Sequence, residues 1–334
     1  MSFRDVLGQS LAVSRLQGMI MAGTLPAALL LTGMEGVGKC FTAFQVAKAL
    51  NCSHGHGDAC DACADCGQIS RRVHPDVMLV AAEKNQIKID QIRELQGYLG
   101  YAPLSGSWKV AIIEDVHLLN TAAANALLKT LEEPPDQSLI MLVTHLPQVL
   151  LPTVLSRCVV IPFLPLSAKD LGHIVQRLVG DALSGPQQLA QAIALGGGSV
   201  SRSLFFLEDN RLQWRDELLF RLCSLTPERL DELFSLAEEL SQKSAEAEHA
   251  WYVIDTFIRD ALLLAACRSA ADLFHVGHEK AMKDLLQKIK PDDLLAWRDE
   301  LIRLQSNRLF NINVRLAWEA LLLQFVGQQV SGCV

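Results

Sequence analysis

The chain has 334 residues, enough for two or three domains that each bury a core. Half of the residues are hydrophobic, yet no apolar run reaches the roughly 18 residues needed to cross a bilayer, so we expect no membrane association. The net charge of −7 argues against a protein that binds nucleic acid by itself, although it allows a local basic patch or a DNA-binding partner. The start, Met1–Asp5, lacks the apolar region of a secretory signal, and a cytoplasmic location is expected.

Proline and glycine are distributed unevenly along the chain. Ten of the twelve prolines lie at or before Pro186, and only three glycines follow residue 207. Short apolar runs of the kind found in a parallel sheet buried on both faces predict five strands: Ala28–Thr32, Val77–Val80, Val110–Ile113, Leu139–Val143 and Val159–Phe163. Helical patterns separate these runs. We therefore predict a doubly wound α/β domain over residues 1–165, a small helical domain over 166–207 and an all-α domain over 208–334.

The first predicted strand leads into a phosphate-binding loop with one unexpected residue. The segment GMEGVGKC matches the pattern G-x-x-x-x-G-K-[ST] except at its last position, and its candidate nucleotide-binding residues are Gly33, Gly36, Gly38, Lys39 and Cys40. In this motif backbone amides surround the phosphates, the lysine reaches the β/γ oxygens and the final hydroxyl holds Mg²⁺. Because a thiol is a poor ligand for this hard cation, the loop predicts a nucleotide-binding architecture that lacks one metal ligand.

Four cysteines at short spacings follow the helix that the P-loop begins: Cys52, Cys60, Cys63 and Cys66. Four thiolates form the tetrahedral set that structural zinc prefers, and disulfides are not expected in a reducing cytosol. An iron–sulfur cluster is the alternative, although ferredoxin-type runs place their fourth cysteine downstream. His54 and His56 could replace a thiol, but four cysteines make that unnecessary. We predict a structural zinc module over residues 52–66.

The third predicted strand ends in two carboxylates, Glu114 and Asp115. In P-loop enzymes such a strand places one acid near Mg²⁺ and the next near the attacking water. The usual order is Asp then Glu, and it is inverted here. A strand that ends in solvated acids is the alternative, but the preceding P-loop favours a degenerate acidic pair at the nucleotide.

The next segment, residues 120–135, predicts an amphipathic helix. Asn120 is a suitable N-cap, and the pair Pro134-Pro135 stops the helix. A further helix-like segment at 148–155 is followed by Arg157, within the tripeptide SRC. An arginine at a helix C-terminus commonly complements the helix dipole. The alternative is an arginine finger that stabilises a transferring phosphate in a neighbouring subunit.

These motifs resemble those of the bacterial clamp-loader family of AAA+ proteins. The resemblance rests on residues 125–135 (NALLKTLEEPP), on the SRC segment at 156–158 and on the cysteine module between the P-loop and the acidic strand. Residues 8–9 (GQ) resemble the adenine-side segment, and residues 311–316 (NINVRL) resemble the last collar helix. The resemblance spans the whole chain. It implies an AAA+ P-loop NTPase-like domain, a small helical lid and a C-terminal helical collar.

The resemblance also implies a function. Members of this family belong to the DNA polymerase III holoenzyme, a DNA-directed DNA polymerase, and assemble as heteropentamers that use ATP to place the sliding clamp on primed DNA. The implied partners are the motor (tau/gamma) and delta subunits, the sliding clamp and, through the complex, DNA. By the same resemblance, Arg157 is the trans-acting finger for a neighbouring motor subunit, and Thr144 matches the sensor 1 position.

Within the family, three departures favour the delta-prime type of subunit over the motor type. Cys40 replaces the Mg²⁺-binding hydroxyl, and the acid order is inverted. In the segment that resembles sensor 2, Ser201 stands where the motor's arginine is expected, and Arg202 is turned about 100° away on a helix. ATP hydrolysis by this chain is therefore not expected, whereas binding of ATP or ADP stays open. The rival interpretations are an active tau/gamma-type ATPase and a zinc-dependent nucleic-acid-binding protein.

Overall fold

The computed structural model describes residues 1–55, 57–180, 185–242, 244–266, 273–307 and 313–331. The chain divides into two compact units. The first comprises Met1–Gly180 together with Gly198–Ser201, and the second comprises Asp181–Gly197 and Arg202–Val334. The finer division into three domains stays a prediction. Among the helices in the described ranges, none combines the length and the apolar character that a membrane span requires.

The first unit contains a five-stranded sheet in which every neighbouring pair of strands is parallel. The order is β2-β3-β4-β1-β5, with the strands β1 Ala28–Thr32, β2 Val77–Val80, β3 Lys109–Ile113, β4 Ser138–Thr144 and β5 Val159–Pro162. All five strands were predicted, each to within one residue at either end. The predicted α/β class is confirmed.

Helices cover both faces of this sheet. The helices of the first unit are α1 Ser10–Met21, α2 Lys39–Asn51, α3 Ala64–Ser70, α4 Ile89–Leu99, α5 Thr121–Glu132, α6 Pro152–Leu155 and α7 Ala168–Val179. Because successive strand residues point to opposite faces, Leu29 and Leu31 join a core with α1 and α2, and Leu30 joins a core with α4 and α5. The continuous apolar character of β1 follows from burial on both sides.

Two local predictions around α5 and α6 have different outcomes. The Asn120 side chain accepts a hydrogen bond from the Ala123 amide (2.8 Å), and α5 ends before the two prolines, as predicted. The continuous helix expected over 148–155 was wrong: a single 3₁₀ turn precedes α6, which begins only at Pro152. A residue before proline is pushed out of helical conformation, and Leu151 accordingly has a ψ of 135°.

The described part of the chain beyond residue 185 is helical, as predicted. Its helices are α8 Pro186–Gly196, α9 Val200–Leu207, α10 Arg211–Ser224, α11 Leu230–Leu240, α12 Ala245–Ala265, α13 Glu279–Lys288, α14 Pro291–Asn307 and α15 Val314–Ser331. The core of the second unit contains three fully buried tryptophans, Trp251, Trp297 and Trp318. Of the predicted collar segment, residues 311–312 lie outside the described residues, and the remainder forms the start of α15.

Candidate functional site

The sheet topology brings the predicted nucleotide-site residues together. β4 lies between β1 and β3, with Thr32 opposite Thr144 and Ile113 opposite Leu142. The P-loop leaves the end of β1, Glu114 and Asp115 follow β3, and Thr144 closes β4. Since carboxyl ends of parallel strands share one edge of the sheet, three segments distant in sequence meet at one site.

The P-loop packs tightly against residues 199–201 of the same compact unit. Gly36 has a φ of 73°, and a Cβ at this position would lie 2.3 Å from the Ser199 hydroxyl and 2.4 Å from the Ser201 hydroxyl. The Val200 amide donates a hydrogen bond to the Gly36 carbonyl (2.8 Å). Only glycine fits here, both for its positive φ and for lack of space.

Lys39 lies within the loop itself. Its ammonium donates to the carbonyl oxygens of Gly33 (2.8 Å) and Met34 (2.6 Å), and the residue is buried. Burial lowers the pKa of Lys39, while the charge of Asp115 opposes that shift. The Lys39 ammonium, which would contact the phosphates of a nucleotide, therefore already has carbonyl partners. A phosphate would have to replace them.

Cys40 lies beside Glu114 at the position of the missing hydroxyl. Burial and the hydrogen bond with Glu114 raise the pKa of the Cys40 thiol to about 12, so it stays neutral at pH 7. The hydroxyl of Thr42, two residues further along α2, donates to the Gly38 carbonyl (2.8 Å), and this residue is fully buried. The site thus contains the loop and lysine of a nucleotide site, with a neutral thiol where Mg²⁺ needs an oxygen.

A cluster that the sequence analysis missed adjoins these residues. The Nδ1 atoms of His145 and His117 lie 3.7 and 4.0 Å from Oδ1 of Asp115, and the two rings meet edge to face at 4.4 Å. His117 Nδ1 also lies 3.1 Å from the Thr144 hydroxyl. Burial and the neighbouring His145 lower the pKa of His117 to about 4, so its ring is neutral at pH 7. The sequence did contain a signal for this cluster: His117 follows β3 and His145 follows β4, and these two strands are neighbours in the sheet.

The four predicted metal-binding cysteines come together. Their sulfur atoms all lie within 4.8 Å of one another: Cys66 lies in the first turn of α3, and the other three cysteines precede that helix. Backbone N–H groups point at the sulfurs: the Cys60 amide donates to Cys52 (3.3 Å), the Cys63 amide to Cys60 (3.3 Å) and the Cys66 amide to Cys63 (3.4 Å). Burial opposes ionisation of Cys63, but hydrogen bonds with the Cys66 amide and with Ser53 lower the pKa of its thiol to about 5. The cluster can hold a tetrahedral metal ion in thiolate form.

Of the two histidines considered as substitute ligands, His54 is not part of this group. His54 Nδ1 lies 3.1 Å from the Ser53 hydroxyl, and His56 is outside the described residues. Four sulfur donors and no open position fit a closed structural site better than a catalytic one.

Arg157 lies just after α6, on the surface of the first unit. Its guanidinium pairs with Glu132 Oε1 (2.5 Å) and donates to the Thr153 carbonyl (2.9 Å). The two side chains are 34% and 50% exposed. A partly exposed ion pair of this kind contributes about 0–1 kcal/mol, so little holds the arginine in this position.

The remaining family-like segments have local structural partners. Gln9 is buried and exchanges hydrogen bonds with the backbone of Leu164, at 2.7 and 3.1 Å. The Ser201 hydroxyl lies 3.1 Å from that of Ser199. The Arg202 guanidinium lies over the Tyr252 ring, 4.1 Å from its centroid, within the second unit.

Comparison with known proteins places this chain in a family. The family described as DNA polymerase III, delta subunit, matches residues 8–167. The delta-prime subunit of Escherichia coli K12 is 30% identical over 302 residues, covering 89% of this chain and 88% of that protein. The tau subunit of Salmonella typhimurium is 28% identical over 327 residues, and these cover 90% of this chain.

The alignment covers only 50% of that tau subunit, so the chain spans about half the length of the tau relatives it matches. A gamma subunit-related protein of Thermotoga maritima has a solved structure with a TM-score of 0.41 and 19% identity, covering 95% of this chain and 99% of that one. That score is too low to bear on the fold. The parallel sheet, the P-loop and the match to the delta-prime subunit over 89% of this chain together give an AAA+ P-loop NTPase-like domain followed by helices. The chain belongs to the DNA polymerase III delta-prime family.

Proposed function

We propose that this chain acts as the delta-prime subunit of a DNA polymerase III clamp loader in the cytoplasm. There it assembles with motor (tau/gamma) and delta subunits and helps to load the sliding clamp onto primed DNA. The observation that carries the proposal is the 30% identity to a delta-prime subunit over nearly the full length of both proteins. The assembly supplies the DNA contact, consistent with the chain's net charge of −7.

Within this assembly the chain hydrolyses little or no ATP. A neutral Cys40 thiol occupies the place of the Mg²⁺ ligand, and the Lys39 ammonium has carbonyl partners. The loop amides still allow ATP or ADP to bind. The rival function, an active motor of the tau/gamma type, is favoured by the tau match over 90% of this chain, and it requires Glu114 and Asp115 to serve between them as metal ligand and base.

Arg157 provides the finger for the neighbouring motor subunit. Its weak pairing with Glu132 supports this role, because the guanidinium can exchange one carboxylate for a phosphate oxygen at little cost. A trans-acting arginine raises kcat about 10³–10⁵-fold at the site that it completes. One motor site of the complex would then depend on this chain.

The cysteine cluster holds a structural Zn²⁺ ion. Cys52, Cys60, Cys63 and Cys66 supply four thiolates, and the backbone N–H groups around them offset the accumulated negative charge. A closed thiolate site supplies folding free energy rather than chemistry, so removing the metal should destabilise the first unit.

The decisive experiment compares ATP turnover by the reconstituted complex, on clamp and primed DNA, with wild-type chain, Arg157→Ala or Arg93→Ala. Arg93 is a matched control, since it is an exposed arginine that pairs with Asp90 on α4. We expect Arg157→Ala to remove the share of turnover due to one motor site, with Arg93→Ala at the wild-type level. The chain would instead be an active motor if two results were found together. The isolated chain would hydrolyse ATP in a way that Lys39→Ala abolishes, and Arg157→Ala would leave turnover of the complex unchanged.

A further inference from the structure

The edge of the sheet beside the P-loop holds a second group of metal-ligating side chains, which the proposed function does not use. The ligand atoms of Asp115, His117 and His145 all lie within 4.8 Å of one another. Among the described residues, the only other such group is the four-cysteine cluster. Two imidazoles and one carboxylate are a donor set that divalent transition metals accept in proteins.

The backbone elements that carry these three side chains fix their positions. Asp115 follows β3 in a left-handed conformation, with a φ of 48°, and it starts the 3₁₀ turn that carries His117. His145 comes directly after β4, the neighbouring strand. The Thr144 hydroxyl accepts from the Leu146 amide (3.0 Å) and lies 3.1 Å from His117 Nδ1, the nitrogen that faces Asp115. An ion bound through this nitrogen would take the place of the Thr144 contact.

Spacing and access also suit a metal ion. Ligands about 2.0–2.2 Å from a tetrahedral ion lie roughly 3.3–3.6 Å apart, and the Asp115 oxygen is 3.7 and 4.0 Å from the two Nδ1 atoms. Small side-chain shifts therefore close the set. The side chain of His117 is only 4% exposed, whereas those of His145 and Asp115 are 31% and 46% exposed, so an ion can enter and keep a coordinated water.

We propose that Asp115, His117 and His145 form a binding site for a divalent transition-metal ion of the zinc type, at the edge of the sheet where β3 and β4 end. Magnesium itself fits poorly, because it demands oxygen ligands in octahedral geometry. The positive charge of Lys39 acts on Asp115 and opposes a second cation nearby. We therefore expect weaker binding than at the four cysteines. The proposal goes beyond the clamp-loader function and needs no partner subunit.

The test is a metal titration of the full-length chain whose four-cysteine cluster already holds one equivalent of Zn²⁺. Added Co²⁺ should bind as one further equivalent, with visible d–d bands but without the sulfur-to-metal charge transfer that cysteine ligands give. His145→Ala and the isosteric Asp115→Asn should each weaken this binding at least about tenfold. The matched control is His173→Ala, an exposed histidine on α7, which should bind like wild type.

Thermal melting of each variant checks that it remains folded. Because His145 and Asp115 lie on different elements, a folding defect in one variant still leaves the other to test the site. Binding of only the cysteine-bound equivalent by the wild type would overturn the proposal. So would a further equivalent that His145→Ala and Asp115→Asn both retain at wild-type affinity. Neither result would touch the clamp-loader role, because the ATP turnover of the complex tests that role separately.

Discussion

A buried carboxylate directly before β2 offers the most quantitative prediction. Asp76 is fully buried, and its carboxylate accepts hydrogen bonds from the amides of Leu104 (2.8 Å), Ser105 (2.7 Å) and Gly106 (2.9 Å). It also pairs with the buried Lys109 ammonium at 3.2 Å. These contacts tie the loop before β3 to the end of the segment that precedes β2.

The stabilising effect of this carboxylate follows from its pKa. Burial favours the protonated form, but the three amides and Lys109 outweigh it and lower the pKa of Asp76 from 3.8 to about 2. A shift of roughly 1.8 units corresponds to about 2 kcal/mol of stability at pH 7. Since the folded pKa is the lower one, this stability is present above about pH 4 and is lost as the pH falls toward 2.

Replacing Asp76 by Asn keeps the shape but turns an acceptor into a donor and leaves Lys109 without its counter-ion. We expect a loss of about 3–5 kcal/mol at pH 7. Urea unfolding followed by hydrogen exchange of residues 104–113 reports the unit that contains the substitution. Asp90→Asn, at an exposed ion pair, is the matched control and should unfold like wild type.

The pH dependence makes this prediction easy to refute. By linkage, about 1 kcal/mol of the difference between wild type and Asp76→Asn should disappear between pH 7 and pH 3, since the titration of other groups is common to both proteins. Equal stability of the two proteins at pH 7 would refute the reasoning. A difference that is constant from pH 7 to pH 3 would show that shape, rather than charge, explains the loss.

Three further predictions concern the functional sites. Glu132→Gln frees the finger without removing it, so turnover of the reconstituted complex should stay equal or rise a few-fold, in contrast to Arg157→Ala. Replacing both Cys60 and Cys63 by Ser should abolish zinc binding, measured by elemental analysis, and lower the melting temperature of the first unit. Cys40→Thr restores an oxygen ligand and should tighten ATP binding in the presence of Mg²⁺. Phosphate release by that variant should stay at background, because the acid order is still inverted.

Each of these predictions has a result that contradicts it. A fall in turnover on Glu132→Gln as large as on Arg157→Ala would mean that the ion pair itself, and not the free arginine, is required. If the wild-type chain had the same melting temperature with and without metal, zinc would have no structural role. Sustained ATP hydrolysis by isolated Cys40→Thr would show that the thiol alone had silenced a working motor.

Much of the first unit could be predicted because its signals are local. The run Ala28–Thr32 is apolar at every position, so it forms a strand buried on both faces without needing a particular neighbour. Asn120 caps its helix through an amide three residues away. The continuous helix expected over 148–155 failed at Pro152, although the backbone rule that ends it there is also local. The apolar pattern continues across Pro152, but the restriction that proline places on Leu151 outweighs it.

By itself, the sequence determined the five strands, the phosphate-binding loop with its misplaced thiol, and the cysteine spacing. Each depends on residues within a few positions of one another. Only the tertiary structure decided which side chains meet across the sheet. The strand order places β4 between β1 and β3, and this order brings His145 next to Asp115 and His117. Strand order depends on how both cores pack together, and no short stretch of residues encodes it.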